Sequence, residues 1–441
     1  MDCSCIRQTE LPGTSRLFAD FTYHPDRVSA FYPWATSGGD AYRQAAQRID
    51  FPDSRRAALV AALREQNGND PLLERLGKPG TVAVVTGQQV GFLSGPAYTV
   101  YKALTAVRLA EHLTVNGIDA VPVFWLATED HDFAEVNHAW VYNGEHHPSR
   151  LDCVASPEAN QPVGGIVLGD FDWSALETGL KGLPFSEEIA ALAREAYQPG
   201  RTLGRAFQSL VSTLLGPHRM LFVDPLADPI RRLAAPLLHD AVAAEGQLKQ
   251  ALLNRNKELA DAGYHAQVHV DAKTSLVFLL EGGRRQTLRL QNGNYIAGGR
   301  VLSHGELESR AEHLSPNALL RPVVQDYILP TVAYVGGPAE LAYLAQSQVI
   351  YQTLLGRQPV ALHRTGFTVL DARSRKLLDR YNLCLPEFFH GEEALRARIA
   401  AHLVPSSIQV LLAESKAAAS GAIHRLSEGL ERFDPTLASA A

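Results

Sequence analysis

Several absences narrow the classes of protein to which this 441-residue chain can belong. It has four cysteines, too few for a disulfide framework, so we expect reduced thiols. No apolar run reaches the roughly 18 residues that a membrane helix needs, and the first residues lack the basic and apolar regions of a secretory signal. The net charge of −6 provides no basic excess for nucleic acid. We therefore expect a cytoplasmic protein without a membrane or nucleic-acid partner.

The pair Cys3 and Cys5 comes closest to a metal motif. Two cysteines separated by one residue would need further ligands, and the sequence names none. An incidental pair is the simpler interpretation. We predict no metal site there and assign the two thiols no role.

What the chain does contain is an ordinary globular composition. Hydrophobic residues make up 46% and charged residues 20%, which is enough apolar surface for a sizeable core. At about 100–200 residues per domain, the length predicts two to four units.

One stretch carries the clearest fold signal. Thr81–Thr86 and Ala120–Leu126 are short apolar runs typical of buried strands, and Tyr98–Leu113 between them has helical periodicity. Asn116-Gly117 is a typical helix end. Strand, glycine-rich turn, helix and strand form a βαβ unit, which predicts a parallel sheet with a right-handed crossover.

Composition and periodicity divide the whole chain into segments. The predicted order is a helical lead-in (1–80, with a helix over 41–64), the first half of the core (81–143), an insertion without strong periodicity (144–200), a helical segment (201–263), a small antiparallel β insertion (264–314), the second half of the core (315–380) and a C-terminal helical or coiled-coil segment (381–441). Further helices are predicted over 203–215, 229–263 and 339–355, and further strands over 264–270, 276–281, 286–290, 332–335 and 359–362. The fold class is α/β, a Rossmann-like parallel sheet with inserted subdomains.

The first candidate site is the turn after the first predicted strand, with Gly87, Gln88, Gln89 and Gly95. Open α/β sheets bind ligands at the carboxyl ends of their strands, and the start of the next helix favours an anion. Neither a Walker A motif nor G-x-G-x-x-G is present, so a tight turn without a ligand is the alternative. Lys102, two turns into the helix, either reaches such an anion or is a surface lysine.

The second candidate site follows the second strand and contains Glu129, Asp130, His131 and Asp132. Adjacent carboxylates raise one another's pKa, which suits general acid–base work. An acidic helix start is the structural alternative. A metal site that also uses His138 is a third interpretation, but no standard ligand spacing supports it.

A third and weaker signal lies near the predicted strand 332–335. Arg321 could hold a carboxylate in a bidentate manner, and Glu340 opens the helix that follows Gly337. If this half of the sheet is coplanar with the first, the turn faces the same cleft.

Three long segments, in this order, resemble one family. VVTGQQVGFLSGPAYTVYKALTA, VPVFWLATEDHDFAEVNH and SPNALLRPVVQDYILPTVAYVGGPAELAYLAQ are similar to segments of BshC, the cysteine ligase family of bacillithiol biosynthesis. The resemblance extends from about residue 17 to residue 435. It implies that cysteine is added to glucosaminyl-malate. It also implies a Rossmann-like core with connecting insertions like those of class I aminoacyl-tRNA synthetases, and a C-terminal helical hairpin used for dimerisation.

The resemblance also implies site residues, which are carried over by position. The cleft would be lined by Thr86, Gly87, Gln88, Gln89, Glu129, Asp130, His131, Asp132, Asn137, Arg321, Gln325 and Glu340. Gly95 is expected to contact the substrate because it belongs to the glycine-rich turn. Asp130 or His131 is expected to act as the base and Arg321 to hold the malyl group. Gln88 and Gln89 would position a carboxylate, and Lys102, Gly337 and Tyr343 would contact a cofactor.

Amide formation from a carboxylate requires an activated acyl group, so the chemistry predicts ATP with Mg²⁺ and no redox cofactor. The His-x-Gly-His motif and the lysine-rich loop of synthetases with this fold are absent, and Gly-Gln-Gln stands where the former is expected. The use of ATP is therefore inferred from the chemistry and not from a motif.

An apolar stripe with heptad-like spacing ends the chain. It comprises Ala419, Ile423, Leu426, Leu430, Phe433 and Leu437, and Asp434-Pro435 is typical of the start of a second helix. A solvent-facing amphipathic helix would give the same spacing. Because family members continue beyond this point, we expect a shortened hairpin, with a homodimer if the hairpin is complete.

Two other functions remain open from the sequence. A nucleotidyltransferase would use the acidic cluster for magnesium and phosphates, and it would turn over nucleotide without cysteine. A non-catalytic assembly protein would bind through residues 406–441 and leave the cleft without a small ligand.

Overall fold

The computed structural model describes residues 5–35, 38–143, 147–271, 273–291 and 293–433. The chain divides into two units. One is Ser15–Phe367, and the other combines Met1–Thr14 with Thr368–Ala441. No helix among the described residues is both long enough and apolar enough to cross a membrane.

The larger unit alternates helices and strands. Its helices are α1 (Arg16–Tyr23), α2 (Ala41–Gln47), α3 (Asp53–Asn67), α4 (Pro71–Leu76), α5 (Tyr98–Val115), α6 (Phe133–Val136), α7 (Ser174–Leu180), α8 (Ser186–Ala196), α9 (Leu203–Leu215), α10 (Asp228–Ala243), α11 (Glu245–Asp261), α12 (His304–Glu308), α13 (Arg321–Ile328) and α14 (Pro338–Leu354). Its strands are β1 (Val82–Gln88), β2 (Ala120–Leu126), β3 (His138–Tyr142), β4 (Pro148–Asp152), β5 (Leu221–Val223), β6 (Thr274–Glu281), β7 (Arg284–Gln291), β8 (Asn294–Ala297), β9 (Arg300–Leu302), β10 (Leu314–Pro316), β11 (Thr331–Gly336) and β12 (Val360–His363).

A parallel five-stranded sheet forms the core of this unit, in the order β12-β11-β1-β2-β5. From β1 the chain builds outward through β2 to β5, and then returns to the other side of β1 for β11 and β12. The direction of winding therefore reverses between β1 and β11. In open sheets of this type the crevice for a ligand lies at that reversal, outside the carboxyl ends of the strands. The predicted Rossmann-like class is confirmed.

The strands are largely apolar because both faces of the sheet are covered. Along β1, Ala83 and Val85 belong to one core cluster, whereas Val82 and Val84 belong to the other. This alternation has the two-residue period of a strand. The sheet thus separates two hydrophobic cores.

The helices that follow β1 and β11 lie on opposite faces of the sheet. Ala103 and Ala106 of α5 pack into the same core as Val84. Leu341 and Leu344 of α14 pack into the core of Val85. Helix α14 begins two residues after β11, and α5 begins ten residues after β1, so the N-terminal ends of both helices lie at the carboxyl edge of the sheet, one on each face.

Inserted elements separate the core strands along the chain. A two-stranded sheet, β3 and β4, lies between β2 and β5. An antiparallel sheet in the order β10-β6-β7-β8-β9 lies between β5 and β11. Its antiparallel pairing and the strands predicted over 276–281 and 286–290 are confirmed, and the first strand begins at Thr274.

The strand predicted over 264–270 is wrong. The segment is irregular, and the side-chain amide of Gln346 takes the place of a neighbouring strand. Its Oε1 accepts from the backbone N–H of Val268 at 2.8 Å, and its Nε2 donates to the carbonyl of the same residue at 2.9 Å. The local sequence pattern could not indicate this contact, because Gln346 belongs to a helix that is distant in the chain.

Two long predicted helices are each broken. The helix expected over 41–64 divides into α2 and α3, because Pro52 precedes α3 and favours extended backbone before it. The helix expected over 229–263 divides at Ala244, which leaves helical geometry at φ −93° and ψ 7°. The segment 144–200 is more regular than expected, since it contains α7 and α8, and the short strand β5 is absent from the sequence-based prediction.

The smaller unit contains α15 (Ala372–Tyr381), α16 (Leu385–Phe388), α17 (Glu392–Leu403) and α18 (Ser406–Phe433). The predicted apolar stripe lies on α18, where Ile423, Leu426 and Phe433 are exposed. Cys5 is exposed as well. Cys3, Asp434-Pro435 and Leu437 lie outside the described residues.

Thr86 gives a test of how the two halves of the sheet are joined. Its buried hydroxyl donates to the carbonyl of Val335 at 2.8 Å. We expect Thr86→Val, which keeps the shape and loses the donor, to lower the free energy of unfolding by about 1–2 kcal/mol in urea titrations. Thr213→Val is the matched control, since that hydroxyl makes the same kind of bond on an exposed helix surface. A change of similar size in both variants would contradict the expectation.

Candidate active site

The three candidate clusters follow β1, β2 and β11, and the structure brings all three to one edge of the sheet. Two groups of side chains lie there. The crevice cluster is Lys102, Arg321, Tyr334, Glu340 and Tyr343. The acidic cluster is Glu129, Asp130, His131, Asp132 and Glu135.

A buried ion pair closes the crevice between β1 and β11. Lys102 of α5 is only 2% exposed and pairs with Glu340 of α14. Its Nζ also donates to the carbonyl of Gly87 at 2.7 Å and to Oε1 of Gln88 at 2.9 Å. The interpretation of Lys102 as a surface lysine is therefore wrong.

Glu340 is held in place by neighbours as well as by Lys102. Its carboxylate accepts from the Tyr334 hydroxyl at 2.5 Å and from the backbone N–H of Gly337 at 2.7 Å. Burial opposes its negative charge, but the ammonium of Lys102 and these hydrogen bonds hold the pKa of Glu340 below its usual value. The carboxylate is therefore charged at neutral pH.

Arg321 enlarges the positive side of the crevice cluster. It donates to Oε1 of Gln325 at 3.0 Å and to the hydroxyls of Tyr334 and Tyr343 at 3.2 and 3.0 Å. These acceptors are neutral, so the guanidinium charge is not cancelled by a bonded carboxylate. An anionic ligand would supply that charge.

Arg364, at the end of β12, is a residue that the sequence analysis missed. It is half-buried, its guanidinium carbon lies 5.1 Å from the ring centre of Tyr98, and its hydrogen bond goes to the carbonyl of Thr365. With Lys102 and Arg321 it gives three cations around Glu340. The one available signal in the sequence was its position two residues after the strand predicted over 359–362.

Gln88 and Gln89 connect the two clusters. Gln88 faces Lys102. Gln89 donates from Nε2 to Asp130 and to Glu135, both at 2.8 Å. The turn after β1 therefore contacts the crevice cluster with one amide and the acidic cluster with the next.

The glycines of this turn serve close packing. A Cβ on Gly91 would lie 2.9 Å from the Cα of Gly95, and one on Gly87 would lie 2.9 Å from the carbonyl oxygen of Trp125. Packing within the protein is therefore enough to require glycine at both positions, and a bound ligand is not needed to explain them.

Three members of the acidic cluster are already occupied by hydrogen bonds. Asp130 accepts from Gln89 and from the backbone N–H of His131. Burial opposes its charge, yet these bonds lower the pKa of Asp130 below its usual value. Asp132 caps α6 by accepting from the N–H of Glu135. Nδ1 of His131 lies 3.4 Å from an Arg285 nitrogen; because a guanidinium can only donate, that ring nitrogen is the acceptor.

Glu129 differs from its neighbours. It is 8% exposed, and its nearest cation, Arg231 of α10, lies 3.8 Å away. Burial raises the pKa of Glu129 to about 7, against the opposing charges of Arg285 and Arg231. A carboxyl group with this pKa can accept and release a proton at neutral pH.

Arg285 reaches the acidic cluster from the inserted sheet. Its Nε donates to Ser315 at 3.1 Å, and it also donates to the carbonyl of Pro316 at 2.8 Å. It lies 3.9 Å from Asp130. Arg285 was not predicted because nothing local distinguishes it from Arg284, which is exposed.

Three predicted site residues lie away from the open part of the site. Thr86 and Gln325 are fully buried and bonded within the protein. Asn137 sits at the start of the β3–β4 ribbon, where its Oδ1 accepts from Arg150 at 3.4 Å. In the described part of the chain, no group of three or more His, Cys, Asp or Glu is placed to hold a metal ion.

Comparisons with known proteins agree with the fold. Residues 1–365 match the family model described as bacillithiol biosynthesis BshC, N-terminal Rossmann-like domain. A protein of Solibacter usitatus is 54% identical over 440 residues, which cover 100% of this chain and 84% of that protein. A relative from Koribacter versatilis is 37% identical over 99% of this chain and 84% of its own length. A relative from Salinibacter ruber is 32% identical over 96% of this chain and 80% of its own length. All three are provisionally named as the cysteine ligase BshC.

The buried ion pair gives a stability test. We expect Lys102→Met to lower the free energy of unfolding by about 3 kcal/mol or more, because Glu340 is left charged and buried. The double variant Lys102→Met/Glu340→Gln should recover part of this loss. Arg108→Met is the control, since Arg108 forms an exposed pair with Glu111. If Lys102→Met and Arg108→Met lowered the free energy of unfolding equally in urea titrations, the burial of the Lys102–Glu340 pair would be contradicted.

Proposed function

Because this chain belongs to the BshC family of bacillithiol biosynthesis, whose named relatives are cysteine ligases, we propose that it joins the carboxyl group of cysteine to the amine of glucosaminyl-malate. The chain is a ligase with a Rossmann-like core. The identity of the acceptor comes from the family resemblance, and the distribution of charge in the site supports it.

The separation of charge along the sheet edge is the observation that carries this proposal. Lys102, Arg321 and Arg364 surround the single carboxylate of Glu340, so the crevice cluster has an excess of positive charge. On the next strand, the acidic cluster carries carboxylates that outnumber Arg231 and Arg285. The crevice cluster lies between β1 and β11, and the acidic cluster follows β2, the strand on the other side of β1.

The proposed acceptor has the same polarity. Its malyl group carries carboxylates, and its sugar carries an amine. The carboxylates would bind at the crevice cluster and the amine would lie at the acidic cluster. Arg321 and Arg364 would then hold the malyl end, with Gln88 and Gln89 between the two.

Activation of the cysteine carboxyl group requires a nucleoside triphosphate, which we propose to be ATP with Mg²⁺. The cations of the crevice cluster are compatible with phosphate as well as with carboxylate. Mg²⁺ bound through phosphates often needs only one or two protein carboxylates. Asp132 and Glu135, which are exposed beside the cleft, could supply them. Gly337 and Tyr343 remain the proposed nucleotide contacts, whereas Lys102, which is buried and bonded to Gly87, Gln88 and Glu340, would act on a phosphate only through its charge.

We also propose that the protein forms a homodimer through α18. The apolar side chains of Ile423, Leu426 and Phe433 recur at intervals of three and seven residues and are exposed in the single chain. Pairing with the same face of a second copy would bury them.

The reaction itself is tested by mass spectrometry. The full chain is mixed with glucosaminyl-malate and cysteine, with and without ATP and Mg²⁺. We expect a product with the mass of the two substrates less one water, and only when ATP and Mg²⁺ are present. Turnover of ATP at the same rate without cysteine, and no such product, would overturn the proposal in favour of a nucleotidyltransferase.

Arg364 tests where the malyl group binds. We expect Arg364→Gln to raise the KM for glucosaminyl-malate about tenfold or more, since a charge-assisted bond to a carboxylate is worth roughly 1.5–3 kcal/mol. The KM for cysteine should change little. Arg108→Gln, on the exposed face of α5, is the control and should leave both constants unchanged. An unaltered KM in Arg364→Gln would place the malyl group elsewhere.

A further inference from the structure

We propose that Glu129 takes the proton from the attacking amine, and that Arg285 and Arg231, supplied by two inserted segments, position its carboxylate. This inference rests on the proposed function. It replaces Asp130 and His131, which the sequence favours, by their buried neighbour.

Hydrogen bonding separates Glu129 from the other acids of the cluster. Asp130 already accepts bonds on both oxygens, and Asp132 is committed to its helix cap. The accepting nitrogen of His131 faces Arg285. Glu129 has its closest guanidinium at 3.8 Å, beyond hydrogen-bond distance, and 10% of its side-chain surface remains open. Its carboxylate receives a hydrogen bond from the Ser315 hydroxyl but, unlike those of Asp130 and Asp132, none from a backbone N–H of the described chain.

The groups that face Glu129 come from several elements, and some raise its pKa while others lower it. Arg231 approaches from α10 and Arg285 from β7, and both favour the charged carboxylate. Ser315 of β10 donates a hydrogen bond to it, and this serine itself accepts from Arg285. Asp224, after β5, opposes its charge, as does burial. The balance leaves the carboxyl group with a pKa of about 7, near that of a substrate amine.

The proposed step balances as follows. The amine nitrogen forms a bond to the carbonyl carbon of the activated cysteine. The bond from that carbon to the phosphate-bearing oxygen breaks, and this oxygen leaves with the electron pair. The proton lost by the nitrogen goes to the carboxylate of Glu129. No oxidant or reductant is needed, and the nucleoside triphosphate of the proposed function supplies the leaving group.

The first test compares kcat with KM. We expect Glu129→Gln to lower kcat by about 100-fold or more while the KM for glucosaminyl-malate changes less than threefold. Glu129→Asp should retain more activity than Glu129→Gln. Glu158→Gln is the control, because that carboxylate is exposed and pairs with Arg284. Thermal melts identify any variant that fails to fold.

The second test is the pH profile of kcat/KM, which reports the ionisation of the free enzyme and the free substrate. The carboxylate must be ionised to accept a proton, so activity rises as the pH passes the pKa of Glu129. Removing the positive charge of Arg285 raises that pKa. We therefore expect Arg285→Met to move the acidic limb to higher pH, while the exposed neighbour Arg284→Met leaves it in place. The limb of the substrate amine is the same in every variant.

The outcomes distinguish this inference from the proposed function. Absence of ligase product with the unaltered chain would remove the proposed function itself. An active unaltered chain with a fully active Glu129→Gln would overturn the role of Glu129 alone. An unmoved acidic limb in a folded Arg285→Met would overturn the positioning role of Arg285.

Discussion

The buried ion pair between Lys102 and Glu340 is the interaction on which the arrangement of the site depends. It joins the second turn of α5 to the first turn of α14, and these helices lie on opposite faces of the sheet. A charge at this depth is tolerated only with a partner, so neither residue can be lost without exposing the other to a large desolvation cost. The hydrogen bonds of Tyr334 and Arg321 extend from this pair into the crevice. The charged side chains at the crevice between β1 and β11 are therefore held in fixed positions.

The neighbouring acidic cluster is not organised around one ion pair. Its carboxylates differ in burial and in hydrogen bonding although they are adjacent in the chain. Asp130 and Asp132 accept hydrogen bonds from Gln89 and from backbone N–H groups, whereas Glu129 is buried, lies 3.8 Å from Arg231 and is influenced by the charge of Arg285. Position along the chain therefore says less about the role of an acid here than its immediate contacts do.

The parts of the fold that could be predicted are those with local signals. The bounds of β2 are the same in sequence and structure, and α5 differs by two residues at its end, because apolar runs and helical periodicity are properties of neighbouring residues. Arg231 and Arg285 were not predicted, since their partners lie in distant segments. The sequence could not decide between the two interpretations of Lys102 for the same reason, as Glu340 belongs to another helix. The roles of the site residues remain predictions.

Residues that contact one another in the site are far apart in the sequence, and this has a consequence for synthesis of the chain. Arg285 and His131 are 154 residues apart, and the bonded pair Thr86 and Val335 are 249 residues apart. Closing such loops costs conformational entropy before the contacts compensate for it. A growing polypeptide that has already made β1, α5 and β2 still lacks the guanidinium groups and the carboxylate that complete both clusters. The acidic segment therefore lacks its guanidinium partners on the nascent chain until α10 and β7 have been made.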